Sequence, residues 1–135
     1  MSPSAVALVG FAAWTLLLIM TIVSIRSYFV LTGQRKSAAF EIGGADISPF
    51  SQRLCRAHAN CYENLPIFGA LIVVALISDR NEVTDGLAML VLYARMGQSI
   101  VHLISTSPWM IRARFAFYLV QLLVMALMAW RLLVS

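Results

Sequence analysis

Charged residues are scarce in this chain. Only 12% of its 135 residues are charged, whereas 61% are hydrophobic, and a soluble domain carries about 25% charged residues. This scarcity, together with a mean hydropathy of +0.85, excludes an ordinary soluble domain and indicates an integral membrane protein. The length is that of one domain, which we assign to residues 1–135.

Other absences narrow the function classes. The net charge of +4 comes without a basic run or a basic patch interleaved with aromatics, so we expect no nucleic-acid partner. No cluster of His, Cys and Asp has metal-ligand spacing, so no metal site is predicted. No glycine-rich loop suits a nucleotide. Cys55 and Cys61 would lie about 9 Å apart along a helix, which is too far for a disulfide between them.

Four apolar segments are long enough to span a hydrocarbon core, which needs about 20 residues. They are predicted at about residues 5–31, 51–77, 83–105 and 111–134. The first apolar run lacks a basic flank and is too long for a signal peptide, so we expect it to remain in the mature protein. It should end at Gly33. Tight turns at residues 78–82 and 106–108 predict antiparallel neighbours, and the predicted fold is an all-α bundle of four transmembrane helices.

The distribution of lysine and arginine predicts the orientation of the bundle. Five cations lie close to the first and third loops: Arg35, Lys36, Arg53, Arg112 and Arg114. Only Arg80 and Arg131 lie near the opposite ends of the helices. We therefore expect loops one and three in the cytoplasm and both termini on the other side of the membrane. In a bacterium this would be the inner membrane.

The second segment opens with a polar stripe. At 100° per residue, Arg56, Asn60 and Glu63 fall on one helical face, directly before a long apolar run. A cation, an amide and a carboxylate are costly on a membrane helix and usually mark a functional site.

The other segments carry polar residues at a similar depth, in the half of each helix nearer loops one and three. These residues are Arg26 on the first segment; Arg95, Gln98 and His102 on one face of the third; and Arg114, Tyr118 and Gln121 on one face of the fourth. If the helices bundle, these polar lines should converge on one pocket.

The charge balance of that pocket predicts its ligand. Glu63 could pair with Arg26 or Arg95 in a purely structural network that neutralises buried charge. One carboxylate cannot balance the guanidinium groups of Arg26, Arg56, Arg95 and Arg114, however. The excess positive charge predicts an anionic ligand, because arginine binds carboxylates and phosphates through its bidentate fork.

The polar first half of the second segment also predicts a partner subunit. Residues 51–64 are too polar to face lipid, and four helices can hide only part of them. We therefore expect a homo-oligomer with pockets at its subunit interfaces. Pro66 lacks a backbone N–H and should bend the helix or loosen its packing near the pocket.

The pattern Arg56-Ala57-His58-x-Asn60-x-x-Glu63-x-x-Pro66 resembles the second-helix motif of the MAPEG family, the membrane-associated proteins in eicosanoid and glutathione metabolism. The length, the four spans and Thr32-Gly33-Gln34 after the first span agree with the family. The resemblance implies a four-helix subunit in a homotrimer, with glutathione bound as co-substrate between subunits on the cytoplasmic side. Family members include glutathione transferases and peroxidases, leukotriene C and prostaglandin E synthases, and a non-catalytic lipoxygenase-activating protein.

The resemblance also assigns roles to single residues. Arg56, Asn60 and Glu63 match glutathione contacts on the second helix, and Arg95 matches the third-helix arginine of the pocket. Arg112 or Arg114 matches the arginine taken to stabilise the thiolate. Lys36, or its neighbour Arg35, matches a basic residue just after the first helix. From the polar lines of the other segments, the predicted glutathione-binding set also includes Arg26, Gln98, His102 and Tyr118.

Two details refine these assignments. The Arg-x-x-x-Tyr spacing between Arg114 and Tyr118 occurs in the synthases and favours Arg114 as the thiolate partner. Ala59 stands where some synthases have a second arginine. Gln98 and His102 replace a histidine and a tyrosine of the prostaglandin synthase pattern, which argues against that activity.

The function predicted from these observations is that of a membrane-bound glutathione transferase. It would activate the glutathione thiolate for attack on lipophilic electrophiles arriving from the bilayer, as in detoxification. Glutathione peroxidase activity is retained as an alternative that could accompany conjugation. One alternative is a non-catalytic glutathione- or lipid-binding protein of the same fold. A more distant one is a small multidrug transporter that uses Glu63 for proton exchange; such a site requires an isolated carboxylate.

Overall fold

The computed structural model describes residues 1–36, 40–104 and 107–134. Its four helices are α1 (Pro3–Leu31), α2 (Pro49–Ile77), α3 (Glu82–Ile104) and α4 (Pro108–Val134). All four are long and apolar enough to cross a membrane. The prediction of a four-helix, multi-pass integral membrane protein is therefore confirmed.

Serine–proline pairs start three of the helices. The Ser2 and Ser48 side chains accept hydrogen bonds from the backbone N–H groups of Ala5 and Ser51, and a proline follows each serine at the first helical position. Ser107 caps α4 in the same way by accepting from Met110 N at 3.4 Å. These caps place the helix starts two or three residues before the predicted ones, because hydropathy detects the apolar run but not its polar cap.

The helix ends follow local backbone chemistry. α1 ends before Gly33, whose φ of 74° is in the left-handed region that glycine adopts readily. The turn between α2 and α3 places Asp79 at φ 56°. α2 continues through Pro66 as one helix. The predicted end of the third segment at residue 105 lies outside the described residues, as does residue 106 of the predicted turn.

Contacts between helix ends establish the antiparallel arrangement. On the side of the chain termini, called here the terminal side, Ser4 N donates to Asp85 Oδ1 at 3.0 Å and joins the start of α1 to the start of α3. On the opposite side, called the loop side, Arg53 Nε donates to the Leu103 carbonyl at 3.1 Å and joins the start of α2 to the end of α3. α3 packs against all three other helices, whereas α1 and α4 do not touch in the described residues.

The apolar core lies between α1, α2 and α3. Phe11 and Phe68 meet there with ring centroids 5.3 Å apart. α4 is more peripheral, and its only buried residues among those described are Gln121, Met125 and Met128. Most of the α4 surface is therefore apolar and faces outward, as expected of a helix in contact with lipid or with another subunit.

Candidate functional site

A cavity opens between α2, α3 and α4 toward the loop side. It has a volume of about 270 Å³, and we call it the polar cavity. It is lined by Asn60 of α2, by Gln98 and His102 of α3, and by Ile111, Arg114, Phe115 and Tyr118 of α4. Five predicted site residues from three helices thus share one space.

Two hydrogen bonds join α3 to α4 along this cavity. Arg114 Nη1 and His102 Nε2 lie 2.7 Å apart, and Gln121 Nε2 donates to Gln98 Oε1 at 2.8 Å. Gln121 is fully buried and also donates to a backbone carbonyl of α4. It was absent from the predicted site set although its position, seven residues after Arg114, already placed it on the same helical face.

The pairing of Arg114 with His102 defines the electrostatics of the cavity. A guanidinium has only N–H donors, so His102 Nε2 must accept and the imidazole carries its proton on Nδ1. His102 is therefore a neutral acceptor, and the positive charge of Arg114 is not cancelled by it. Among the described residues no carboxylate forms an ion pair with Arg114. The polar cavity thus combines one uncompensated cation with neutral hydrogen-bonding groups, which suits an anionic ligand.

Arg95 lies in the core and does not line the polar cavity. Its side chain is 0% exposed, and Nε, Nη1 and Nη2 have no hydrogen-bond partner among the described residues. The guanidinium lies 5.8 Å from the centroid of the Phe11 ring of α1. The prediction places Arg95 on the glutathione pocket, and the structure differs from it here. Arg95 does share a helical face with Gln98 and His102, but α1 covers that face at its depth.

Arg26 and Arg56 line a different cavity, which we call the arginine cavity. It lies between α1, the first loop and α2, and its volume is about 320 Å³. The expected convergence on a single pocket therefore does not occur within one subunit. The inward face of α2 carries Ala57, Cys61 and Asn64. The stripe of Arg56, Asn60 and Glu63 lies beside that face and is directed to the outside of the bundle. Of these three residues, Asn60 lines the polar cavity.

Three other predicted residues are exposed away from both cavities. Lys36 and Glu63 are exposed and line neither cavity. Arg112 is also exposed, and its guanidinium lies 5.2 Å from the centroid of the Trp109 ring. Of the two arginines considered for the thiolate, Arg114 is thus the one that lines the polar cavity. Arg35, the alternative to Lys36, forms an ion pair with Asp46 at 2.8 Å.

Comparison with known proteins identifies one family. The MAPEG family model matches residues 4–134, which is nearly the whole chain. No curated protein and no solved structure shows significant similarity to the chain.

Proposed function

Because the chain belongs to the MAPEG family, we propose that it is a membrane-bound glutathione transferase that binds glutathione in the polar cavity. The observation that carries the proposal is the uncompensated guanidinium of Arg114, which hydrogen bonds to His102 at the edge of that cavity. The co-substrate is glutathione, and the acceptors are lipophilic electrophiles.

The chemistry of glutathione matches the groups available. The tripeptide carries two carboxylates, an ammonium and a thiol, and the cavity offers a guanidinium, two amides, an imidazole and a phenol. A free thiol has a pKa of about 8.5, and lowering it by two units requires about 2.7 kcal/mol. One guanidinium close to the sulfur in a site of reduced dielectric can supply that energy. The thiolate would then form the bond to the electrophilic carbon as the leaving group departs, and the thiol proton is released to solvent.

The outer wall of the cavity suits a lipophilic second substrate. Ile111 and Phe115 line it from α4 and are also exposed on the outside of the bundle, Phe115 by 65%. α4 packs mainly on α3 and touches α2 over a much smaller contact. An electrophile dissolved in the bilayer therefore has a short apolar route to the thiolate between α2 and α4.

We further propose a homotrimer oriented with its loop side in the cytoplasm. Glu63 is exposed on a helix that spans the membrane and forms no ion pair among the described residues. A carboxylate facing lipid is costly, and a neighbouring copy that covers it removes this cost. The excess of lysine and arginine near the loop side supports the orientation.

The decisive experiment compares the two arginines at the start of α4. We expect Arg114→Ala to reduce conjugation of glutathione to a chlorinated nitrobenzene roughly a hundredfold, the equivalent of two pKa units of thiolate stabilisation. The ultraviolet absorbance of bound thiolate should fall in parallel. Arg112→Ala is the matched control and should stay close to the parent protein. A full conjugation rate in Arg114→Ala would contradict the proposed mechanism.

Three activities, measured beside glutathione binding, separate the alternatives: conjugation, peroxide reduction and proton-coupled efflux. Glutathione binding without conjugation or peroxide reduction would select the non-catalytic binding protein of the same fold. Proton-coupled efflux lost in Glu63→Gln would select the transporter. Family membership, rather than the surroundings of Glu63, is what argues against the transporter.

A further inference from the structure

A second pair of polar side chains joins α3 to α4 one turn deeper than Arg114 and His102. Gln98 lies four residues before His102 on α3, about 6 Å farther from the loop side. Gln121 of α4 is fully buried, and its Nε2 donates to Gln98 Oε1 at 2.8 Å. Gln98 lines the polar cavity, whereas Gln121 does not. A role of Gln121 at the cavity would therefore pass through Gln98.

The hydrogen bonds of Gln121 determine the orientation of its own amide. Its Nε2 lies 3.0 Å from the backbone carbonyl oxygen of Phe117 as well as 2.8 Å from Gln98. A carbonyl oxygen only accepts, so the atom of the Gln121 amide that contacts Phe117 is the nitrogen and not the oxygen. Both hydrogens of this nitrogen are then used, one for Phe117 and the other for Gln98.

The orientation of the Gln98 amide follows from that of Gln121. Because the Gln121 nitrogen donates, the Gln98 atom that faces it is the acceptor Oε1. The two N–H donors of Gln98 Nε2 are then left over, and no described residue accepts from them. Since Gln98 lines the polar cavity, these donors are available to a ligand there. A Gln98 amide that was free to rotate could equally present its oxygen, which repels a carboxylate or a carbonyl.

This arrangement has a cost in the free energy of folding. Gln121 Oε1 is buried without a hydrogen-bond partner among the described residues, and a buried unpaired acceptor is unfavourable. A methionine would fill a similar space without an amide. Stability therefore gives no reason for a glutamine at position 121, whereas the orientation of Gln98 does.

We propose that Gln121 is a positioning residue, which fixes the side-chain amide of Gln98 so that its nitrogen donates to an acceptor oxygen of the ligand in the polar cavity. The inference rests on the proposed glutathione site. The acceptor is a carboxylate oxygen or a peptide carbonyl oxygen of the tripeptide. Gln98 thus adds a neutral donor, one turn deeper than Arg114, to the guanidinium that is assigned to the thiolate.

Gln121→Met tests the proposal through a difference between ligand affinity and stability. We expect calorimetric titration in detergent to show a glutathione affinity roughly threefold to tenfold lower than that of the parent protein, the value of one neutral hydrogen bond. The melting temperature should be unchanged or higher, because the buried unpaired oxygen is gone. The thiolate absorbance at saturating glutathione should also be unchanged, since Arg114 is untouched. A parallel loss of affinity and melting temperature would overturn the proposal in favour of a structural role.

A double-mutant cycle determines whether the effect passes through Gln98. Gln98→Met should itself weaken glutathione binding, and Gln121→Met should then add little, because the amide that Gln121 orients has been removed. Additive effects of the two substitutions, or an unchanged affinity in Gln121→Met alone, would overturn the proposal.

Hydrogen exchange of the side-chain amides reads their orientation without a ligand. The glutamines of the chain are Gln34, Gln52, Gln98 and Gln121, so selective labelling of glutamine nitrogen gives few signals, and the two methionine variants assign them. We expect slow exchange at Gln121 Nε2 and fast exchange at Gln98 Nε2, and the reverse order would overturn the proposal. Absence of glutathione binding by the parent protein would contradict the proposed function and its ligand, whereas the exchange rates would still judge the orientation of Gln98.

Discussion

At the scale of single residues, the chemistry of this protein depends on where three arginines lie. Arg114 borders the polar cavity and contacts a neutral histidine, Arg26 is held by backbone carbonyls, and Arg95 has no hydrogen-bond partner in the described chain. The guanidinium of Arg114 is thus available to a ligand, and that of Arg26 is partly available. The guanidinium of Arg95 is enclosed by apolar side chains.

The hydrogen bond from Arg114 to His102 should orient the guanidinium for the sulfur of glutathione. We expect His102→Leu to lower the absorbance of bound thiolate roughly tenfold, the value of a hydrogen bond to a charged group, with a smaller change in glutathione affinity. His102→Gln keeps an acceptor and should restore most of the thiolate. An unchanged thiolate signal in His102→Leu would show that the contact has no positioning role, whereas absence of glutathione binding in the parent would instead contradict the proposed function.

Arg95 should be a source of instability in the subunit. A buried cation without a partner pays a desolvation cost that a hydrophobic side chain of similar volume avoids. We therefore expect Arg95→Met to raise the free energy of unfolding by roughly 1–4 kcal/mol. Thermal unfolding in detergent measures the change, and Arg95→Lys, which keeps a buried cation, should show no gain. A clear loss of stability in Arg95→Met would mean that Arg95 has a compensating partner in the assembled protein.

At the scale of elements, α3 organises the bundle, because it contacts every other helix and supplies one side of the polar cavity. Its approach to α4 is close at Gly97. A Cβ atom built there would lie 2.9 Å from the Phe117 ring, which is shorter than an ordinary van der Waals contact. The small residue lets α4 come near enough for Gln121 to reach Gln98.

Substitution of Gly97 should therefore separate α3 from α4. We expect Gly97→Ala to lower the free energy of unfolding by roughly 1–3 kcal/mol, the usual cost of overpacking, and to weaken glutathione binding by displacing Gln98. Gly86 is the matched control on the same helix, because a Cβ built there has no atom of another described element within 4 Å. Gly86→Ala should be neutral or stabilising by up to about 1 kcal/mol. Equal effects of the two substitutions would contradict a specific contact at Gly97.

At the scale of the whole molecule, one subunit leaves polar and apolar surfaces uncovered. Arg56 and Glu63 are exposed on α2, and α4 exposes a long apolar surface. Lipid can cover the apolar surface of α4 but not the charged surface of α2. This arrangement supports the proposal that a copy of the same chain covers the α2 side.

The expected assembly is a homotrimer. Light scattering of the detergent-solubilised protein, corrected for bound detergent, should give a protein mass about three times the 14.9 kDa of one chain. Glu63→Arg should weaken the assembly by placing a different charge at the covered surface, whereas Lys36→Glu, a charge reversal on the exposed first loop, should leave it intact. A monomeric mass for the parent protein would contradict the proposal.

The sequence alone determined the class of protein, the four helices and the family. Spanning length and hydropathy are local properties of the chain, and backbone groups in a membrane must pair within each helix, so few other structures are available to such segments. The glycine stop after α1 and the second-helix motif are equally local.

Only the tertiary structure decided which polar residues share a cavity. The 100° periodicity gives the face of each helix that a residue occupies, but it does not give the rotation of one helix relative to its neighbours. That rotation places Arg114 and His102 in one cavity, Arg26 and Arg56 in another, and Arg95 in the core. It is set by packing of the side chains of all four helices, and this packing is a property of the bundle rather than of any single segment.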